Sequence, residues 1–341
     1  MPSTFENMGA IKVRQVMELK LPRLMEGRLG FELFPITQVN EDFLFYERKT
    51  LRLGLQGARG VGGPTAPIIH RGVDVFRVTP GYYGDHYTID ESDLVRLREA
   101  GDWSAFSSYA SQTGEATDYL TQRYLDRAES SIWAMLQTGA FSATNKQGVV
   151  MHNDLFTITG YTPGILWNVP ATAIPLANLR SYVEQSEKGV SAKFKNGRLV
   201  GTRGTINNIL NNTNAADIGG KRVGGGNSVN AMEQVNQILL DNDLPQLEIY
   251  DEGYYPEPTG TAFSKFLTDG KLVAFGARTD GESIGEYRLT RAAQNTNSGP
   301  GEWYTVKDKR DENPPEVIIS GGHNGGPVPY YPEALFVVNA Y

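Results

Sequence analysis

The chain has 341 residues, of which 40% are hydrophobic and 21% are charged, and this composition excludes a disordered polypeptide. The formal charge of −7 disfavours non-specific adhesion to nucleic acid or anionic membrane, and the absence of cysteine excludes disulfides, thiolate metal sites and cysteine nucleophiles. The length predicts one domain with a large excursion, or two interleaved domains. Residues 1–28 mix charges throughout, so we expect neither a secretion signal nor a membrane anchor. The absence of cysteine is what we expect of a protein that folds in a reducing cytoplasm.

Residues 1–40 predict an extended arm. Short apolar clusters alternate there with charges, and proline and glycine residues interrupt any long helix. A free arm with this many apolar residues would be sticky unless it lay on a surface. A partner surface is therefore expected.

Residues 43–88 predict a long two-stranded ribbon. Leucines alternate with polar residues between positions 51 and 55, a second strand returns over residues 68–78, and a glycine-rich tip separates the two. An isolated two-stranded ribbon is only marginally stable in water, so this one should rest on its own body or on a neighbouring subunit. The residues predicted to contact another subunit come from the ribbon and the arm: Arg52, Leu53, Leu55, Arg59, Gly60, Gly62, Gly63, Arg71, Leu21, Leu24 and Phe31.

A long helix is predicted over residues 115–138, after a short one at residues 92–100. At 1.5 Å per residue the long helix spans about 36 Å, and Gly114 and Gly139 punctuate its ends. Leu125 and Trp133 lie off its main apolar stripe, so it should pack on two sides. The stripe comprises Ala116, Tyr119, Leu120, Tyr124, Ala128, Ile132, Met135 and Leu136.

The next part of the chain mixes short strands and helices and predicts a separate α/β lobe. Its predicted elements are strands at residues 148–151 and 155–159, a helix from Pro175 to Gly189, a turn at Asn196-Gly197, a strand at residues 198–202, a helix at residues 205–210, a loop at residues 219–226, a helix from Ser228 to Asp241 and a strand at residues 247–250.

The last part predicts sheet. Residues 263–267 and 271–275 flank Thr-Asp-Gly, a hairpin signal, and further strands are expected at residues 316–320 and 334–339. The segment 277–315 is polar and rich in Gly, Asn, Asp and Arg, and we interpret it as an insertion.

No motif in the sequence supports catalysis or a cofactor. The histidines, His70, His86, His152 and His323, lack zinc-ligand spacing, and no GxSxG elbow is present. In the glycine-rich stretch at residues 219–226, Lys221 is followed by Arg222 where a phosphate loop needs Ser or Thr. We therefore predict no catalytic, cofactor-binding or metal-binding residues, and a protein that is not an enzyme.

The order of these parts resembles the major capsid proteins of tailed phages with the HK-97-type fold, specifically the lambda major head protein family. Two strings carry the resemblance: Thr79-Pro-Gly-Tyr82, which is followed by the helix running into Gly139-Ala-Phe141, and the string from Phe266 to Gly276. The second string is similar to the family's Phe-Leu-Pro-Asp hairpin, with Thr268 in the place of Pro.

The resemblance implies an α+β fold with five successive parts: an N-terminal arm (1–42), the E-loop ribbon (43–88), the first part of the P-domain with its spine helix (89–172), the A-domain (173–262) and a returning P-domain sheet (263–341) with the insertion near 277–315. The spine-helix residues of interest are Tyr119, Leu120, Tyr124, Ile132, Trp133 and Leu136.

The resemblance also implies a structural subunit that self-assembles into hexamers and pentamers of an icosahedral head. A procapsid would form in the host cytoplasm around a scaffold, expand as double-stranded DNA is packaged without sequence-specific binding, and become part of the virion. The expected partners are a separate scaffolding protein, a portal and a decoration protein, with no membrane. Some relatives crosslink through an E-loop lysine, and because no lysine lies between Lys49 and Lys146, we predict no such crosslink.

Two other readings remain open. One is a compartment shell of the same fold, such as an encapsulin, which encloses cargo enzymes instead of DNA. The other is a soluble α/β enzyme or sugar-binding protein, supported by the glycine-rich loops and by the tyrosine pairs at Tyr82-Tyr83, Tyr254-Tyr255 and Tyr330-Tyr331.

Overall fold

The computed structural model describes residues 20–49, 58, 73–92, 107–145, 149–187, 192–212, 231–256, 261–278, 283–292, 301–309 and 311–341. Within these residues the helices are α1 (Leu29–Leu33), α2 (Ser107–Thr138), α3 (Pro175–Glu187), α4 (Arg203–Leu210), α5 (Ala231–Asp241) and the 3₁₀ helix η1 (Pro332–Ala334). Residues 20–25 and 91–92 are helical as well, so the arm is not extended there as predicted. The strands are β1 (Ile36–Gln38), β2 (Leu44–Lys49), β3 (Val73–Val78), β4 (Gly81–Ile89), β5 (Ala140–Thr144), β6 (Val150–Leu155), β7 (Thr159–Tyr161), β8 (Ala192–Gly201), β9 (Gln246–Ile249), β10 (Gly253–Tyr254), β11 (Ser264–Lys265), β12 (Lys271–Arg278), β13 (Gly285–Leu289), β14 (Glu302–Lys309), β15 (Glu316–Pro329) and β16 (Leu335–Asn339).

Helix α2 is the spine of the molecule. It ends where the sequence predicts, because Gly139 adopts a φ of +69° and donates its N–H to the carbonyl of Met135 at 2.8 Å. Its predicted start at residue 115 is wrong, since the helix begins at Ser107 and passes through Gly114. A glycine inside a helix costs only about 0.5–1 kcal/mol, too little to stop a helix that is held by packing.

One five-stranded sheet forms the body on which the spine lies. Its order is β1-β13-β15-β14, and β4 pairs with the other edge of β15. The polar segment 277–315, predicted as an insertion, supplies β13 and β14 to this sheet, and Tyr287 and Leu289 of β13 are fully buried. Polar composition did not reveal these strands because only one face of each needs to be apolar.

A second five-stranded sheet, of order β7-β16-β12-β8-β9, forms the α/β lobe together with α3, α4 and α5. Alternate residues of its central strand β12 enter different cores: Leu272 and Ala274 pack with the lobe helices, whereas Val273 and Phe275 pack with the spine. Strands buried on both faces read as continuous apolar runs, as β12 does. The sheet is therefore the wall between the two cores.

The predicted hairpin across residues 263–275 is wrong. Asp269-Gly270 does turn the chain, with Gly270 at a φ of +86°, but β12 then pairs with β16 and β8, and the preceding residues 264–265 pair with β10. Pairing with distant strands is favoured over a local hairpin because it gives β12 a hydrogen-bonded neighbour on each edge.

The predicted turn at Asn196-Gly197 is also wrong, because β8 runs through it. Asn196 adopts a φ of 61°, and a Cβ on Gly197 would lie 2.2 Å from the carbonyl oxygen of Phe275. The two residues bend the strand and let the backbones approach closely.

Strand β15 contains two glycine pairs, and aromatic rings lie over the space where their side chains would be. A Cβ on Gly321 would come within 2.6 Å of the ring of Tyr304, and one on Gly326 within 2.6 Å of Phe141. Bare backbone at these positions lets β4, β13 and α2 pack close to the centre of the sheet.

Candidate inter-subunit surfaces

Strands β2 and β3 form a two-stranded antiparallel ribbon with an apolar outer side. Phe45 and Val75 are exposed on this side, Val75 to 62%. The other side of the ribbon is attached to the body, since buried Tyr46 stacks on Phe76 at 5.0 Å and meets Tyr330 edge-on at 6.0 Å. The base of the ribbon is thus anchored while its exposed side offers an apolar surface.

The ribbon residues predicted to contact another subunit lie outside the described residues. They are Arg52, Leu53, Leu55, Arg59, Gly60, Gly62, Gly63 and Arg71. Their role stays a prediction, as do the predicted helix at residues 93–100 and the loop at residues 219–226, which lie outside the described residues as well.

The three predicted contact residues of the arm lie against the chain's own core. Phe31 is buried, and Leu21 and Leu24 are half-buried against the same cluster. The arm therefore has a surface to lie on within one subunit. Whether these residues also reach a neighbour stays a prediction.

The predicted spine-helix residues separate into a buried group and one exposed ring. The helix packs on two sides, as predicted, because Leu125 and Trp133 are buried along with the main stripe. Tyr119 does not belong to that stripe, since it is 57% exposed and stacks on Tyr87 at 6.2 Å. Tyr87 covers one face of its ring, and more than half of the residue is exposed to water. The buried members are Leu120, Tyr124, Ile132, Trp133 and Leu136.

The hairpin of β5 and β6 is a second exposed apolar surface, which sequence reasoning missed. Met151 and Leu155 are 69% and 78% exposed, while His152, between them on β6, turns inward and lies 5.2 Å from the ring of Phe141. Asp154 also turns inward and accepts the backbone N–H of Thr79 at 2.8 Å. One face of this hairpin is packed and the other presents hydrocarbon to water.

The segment that enters the lobe carries a third apolar surface. Ile165, Leu166, Val169 and Ile174 are all between 40% and 50% exposed, and buried Trp167, whose backbone N–H donates to the carbonyl of Ala340 at 2.8 Å, fixes the segment. The signal was present in the sequence, because residues 155–179 contain no charged side chain. Charge depletion is typical of the centre of protein interfaces.

His323 occupies a closed aromatic cage at the centre of the body sheet. It is 1% exposed, its Nε2 lies 3.0 Å from the Tyr287 hydroxyl, and its ring centroid lies 4.5 Å from Tyr124 and 5.1 Å from Tyr83. Burial, with a smaller contribution from the positive charge of Arg127, lowers the pKa of His323 to about 3. The imidazole is neutral and closed off from solvent, so its role is packing.

The other titratable groups do not assemble into a metal site within the described part of the chain, where no group of three His, Asp or Glu side chains converges. The described histidines are His86, His152 and His323, and they lie on three different strands. No helix among the described residues is both long enough and apolar enough to span a membrane.

No protein-family model matches the chain, and no curated protein gives a significant sequence match. Solved structures do match it from end to end. A prophage protein of Escherichia coli CFT073 assigned as a capsid protein covers 98% of this chain and 99% of its own, with a TM-score of 0.61 at 15% identity. The capsid of the native GTA particle covers 92% and 90%, with a TM-score of 0.51 at 8% identity, and the capsid of Myoviridae phage XM1 covers 93% and 92%, with a TM-score of 0.50 at 12% identity.

These similarities define a fold class. The chain has the fold of phage capsid proteins of the HK-97 type, an α+β architecture with a long helix and sheets, as the sequence resemblance predicted. At identities of 15% and below, the shared property is the fold itself.

Proposed function

We propose that the chain is the major capsid protein of a tailed phage, a structural subunit whose function is to pack against copies of itself. The observation that carries the proposal is the end-to-end match to the prophage structure, which leaves only 2% of this chain and 1% of the other uncovered. A match confined to one lobe would support only a shared module. The match instead extends over almost the whole length of both chains.

The exposed apolar surfaces support self-association. The ribbon surface at Val75, the hairpin surface at Met151 and Leu155, and the lobe surface at Ile165 are separate apolar areas on one chain. Monomeric proteins rarely expose large contiguous apolar patches, and different patches on one chain suit head-to-tail contacts that close into rings. Hexameric and pentameric rings are the assemblies expected of this fold.

In the assembled particle we place the ribbon, predicted as residues 43–88, over a neighbouring subunit and the spine helix within the shell wall. The last residues of that range, 81–88, form β4 of the body sheet and remain within the subunit. Scaffolding, portal and decoration proteins are its proposed partners, and double-stranded DNA is the proposed content, held without sequence-specific contacts. No lysine lies between Lys49, at the base of the ribbon, and Lys146, so the ribbon contact is noncovalent in this proposal.

Electron microscopy of the purified protein tests this function. We expect closed polyhedral shells or ring-shaped capsomers by negative stain, and nuclease-protected DNA in particles taken from a producing lysate. Particles that instead hold protein cargo would replace the phage head with a compartment shell. A protein that stays monomeric at all concentrations, with and without a co-expressed scaffold, would overturn the shell proposal.

Replacing Val75 with lysine should block assembly and leave the fold intact. Val75 is exposed, so a lysine at this position keeps its ammonium in water while the outer surface loses its hydrocarbon. Burial of a valine contributes about 1.5–3 kcal/mol, so each ribbon contact should weaken by roughly tenfold or more. Sedimentation velocity measures the assembled fraction.

The matched control is Val75→Ile, which keeps an apolar side chain and should assemble normally. Circular dichroism should give the same spectrum for both variants and the parent chain. If Val75→Lys assembles as well as Val75→Ile, the exposed side of the ribbon is not a subunit contact.

A further inference from the structure

Glu129 is a buried carboxylate at the point where three parts of the chain meet. Its Oε1 accepts the backbone N–H of Gly30 at 2.8 Å, the indole N–H of Trp133 at 2.8 Å and the hydroxyl of Tyr250 at 2.6 Å. These donors belong to the arm, the spine helix and the α/β lobe, respectively. One oxygen atom therefore connects all three.

The fit at Gly30 is too close for any side chain. A Cβ at this position would lie 2.5 Å from Oε2 of Glu129 and 2.6 Å from Oε1. Glu129 is itself fully buried and cannot retreat into solvent. The arm thus contacts the carboxylate directly through the backbone of Gly30, with no side chain between them.

Ion pairs fix the arm segment, residues 20–34, along the spine helix in one register. Lys20 Nζ lies 2.6 Å from Asp118, and Arg28 Nη2 lies 2.6 Å from Asp126. Both pairs join residues 98 positions apart, so the arm and the helix run side by side in step. The hydrogen bond from Gly30 to Glu129 joins residues 99 positions apart, so it departs from this register by one residue.

The arm meets the lobe at few points. Arg198 of β8 lies 2.5 Å from Glu32 of the arm and 3.8 Å from Glu248 of β9. Elsewhere an open cleft of about 530 Å³ separates the arm, from Pro22 to Glu32, from residues 248–250. The polar contacts at Arg198 and Glu129 therefore join arm and lobe beside this cleft, in addition to the hydrophobic cluster that Leu29 and Phe31 share with Tyr250.

We propose that Glu129 is a positioning residue through which the seated arm and the α/β lobe stabilise each other on the spine helix. Withdrawal of residues 20–34 removes the Gly30 donor and the Arg28 charge from the carboxylate, and Tyr250 then holds the lobe less firmly. The arm acts as a brace for the lobe. This inference depends on the contacts within one subunit and does not require the proposed capsid function.

Hydrogen exchange measured by mass spectrometry on the unassembled chain tests the coupling in both directions. Gly30→Ala should raise exchange in the arm and also, by about tenfold, in residues 246–250, where the Tyr250 amide is bonded to the carbonyl of Gly201. Tyr250→Phe should raise exchange at the arm amides, Gly30 included, by a similar factor. Coupling between sites is reciprocal, and factors of roughly 5–150 are typical.

Two controls separate this coupling from general loosening. Glu115→Gln changes an exposed carboxylate on the same helix, and Gly164→Ala adds a methyl group where nothing lies within 4 Å. Neither should alter exchange in the arm or the lobe. If Gly30→Ala fails to fold, Tyr250→Phe alone decides: faster exchange confined to residues 246–250, with the arm unchanged, would overturn the inference.

Discussion

Replacing Trp133 with alanine is expected to lower the free energy of unfolding by about 3–5 kcal/mol, the usual cost of removing a large buried aromatic side chain. The indole is fully buried between the spine and the lobe sheet, stacked on Tyr250 at 4.8 Å and edge-on to Phe275 at 6.4 Å. The same change removes one donor from Glu129. Urea unfolding followed by circular dichroism measures the loss.

Two further variants test how this cost arises. Trp133→Phe keeps a ring in the core but loses the N–H, so it should cost less than alanine. Tyr119→Ala, on the exposed side of the same helix, should cost less than about 1 kcal/mol, as surface changes usually do. Equal losses at Trp133 and Tyr119 would contradict the packing of the helix described above.

Acidification should destabilise the protein through His323, and His323→Gln should remove that part of the pH dependence. The pKa of His323 is about 3 in the folded chain, against about 6.5 in an unfolded one. Because the unfolded state binds the proton first, the stability that the neutral ring provides is present above about pH 6.5 and is lost as the pH falls towards 3. At 1.36 kcal/mol per pH unit, the full window amounts to roughly 4–5 kcal/mol.

The measurement is the free energy of unfolding at a series of pH values. Hydrogen bonds lower the pKa of Glu286 and Asp251, so protonation of these carboxylates also makes the protein less stable in acid. That effect is the same in the parent and in the variant. The difference between the two curves therefore reports His323. A His323→Gln curve parallel to that of the parent would show that the cage does not exclude the proton.

Local signals in the sequence were sufficient for several elements. Pro175 begins α3 and Gly139 ends the spine helix, both as predicted. Each of these features depends on neighbours within one helical turn. Strand pairing does not, and the partners of β12 come from residues 60 or more positions away in each direction. No turn signal contains that information.

The functional features divide in the same way. The alternating residues 51–55 and the glycine-rich tip lie outside the described residues, so their part in the ribbon stays a prediction. The pairing of β2 with β3 was predictable because the two strands are neighbours in the sequence. Glu129 was not, because a carboxylate in a helix is usually solvent-exposed and only its distant donors, Gly30 and Tyr250, make its burial tolerable. The exposed surface at Ile165 was predictable in part. The sequence shows that residues 155–179 carry no charge, but only the structure shows that the Ile165 side chain is exposed.

The ring-over-glycine contacts of β15 limit how this sequence can change over time. Where Tyr304 covers Gly321 and Phe141 covers Gly326, neither partner can grow, and a smaller ring would leave a void. The glycine and the ring that covers it share one space. A larger side chain at one position should therefore be tolerated only when the side chain at the other position becomes smaller by a similar volume. Proteins descended from one ancestor could make such paired substitutions and keep the same backbone. This is one physical route by which sequences with this fold diverge while the sheet is retained.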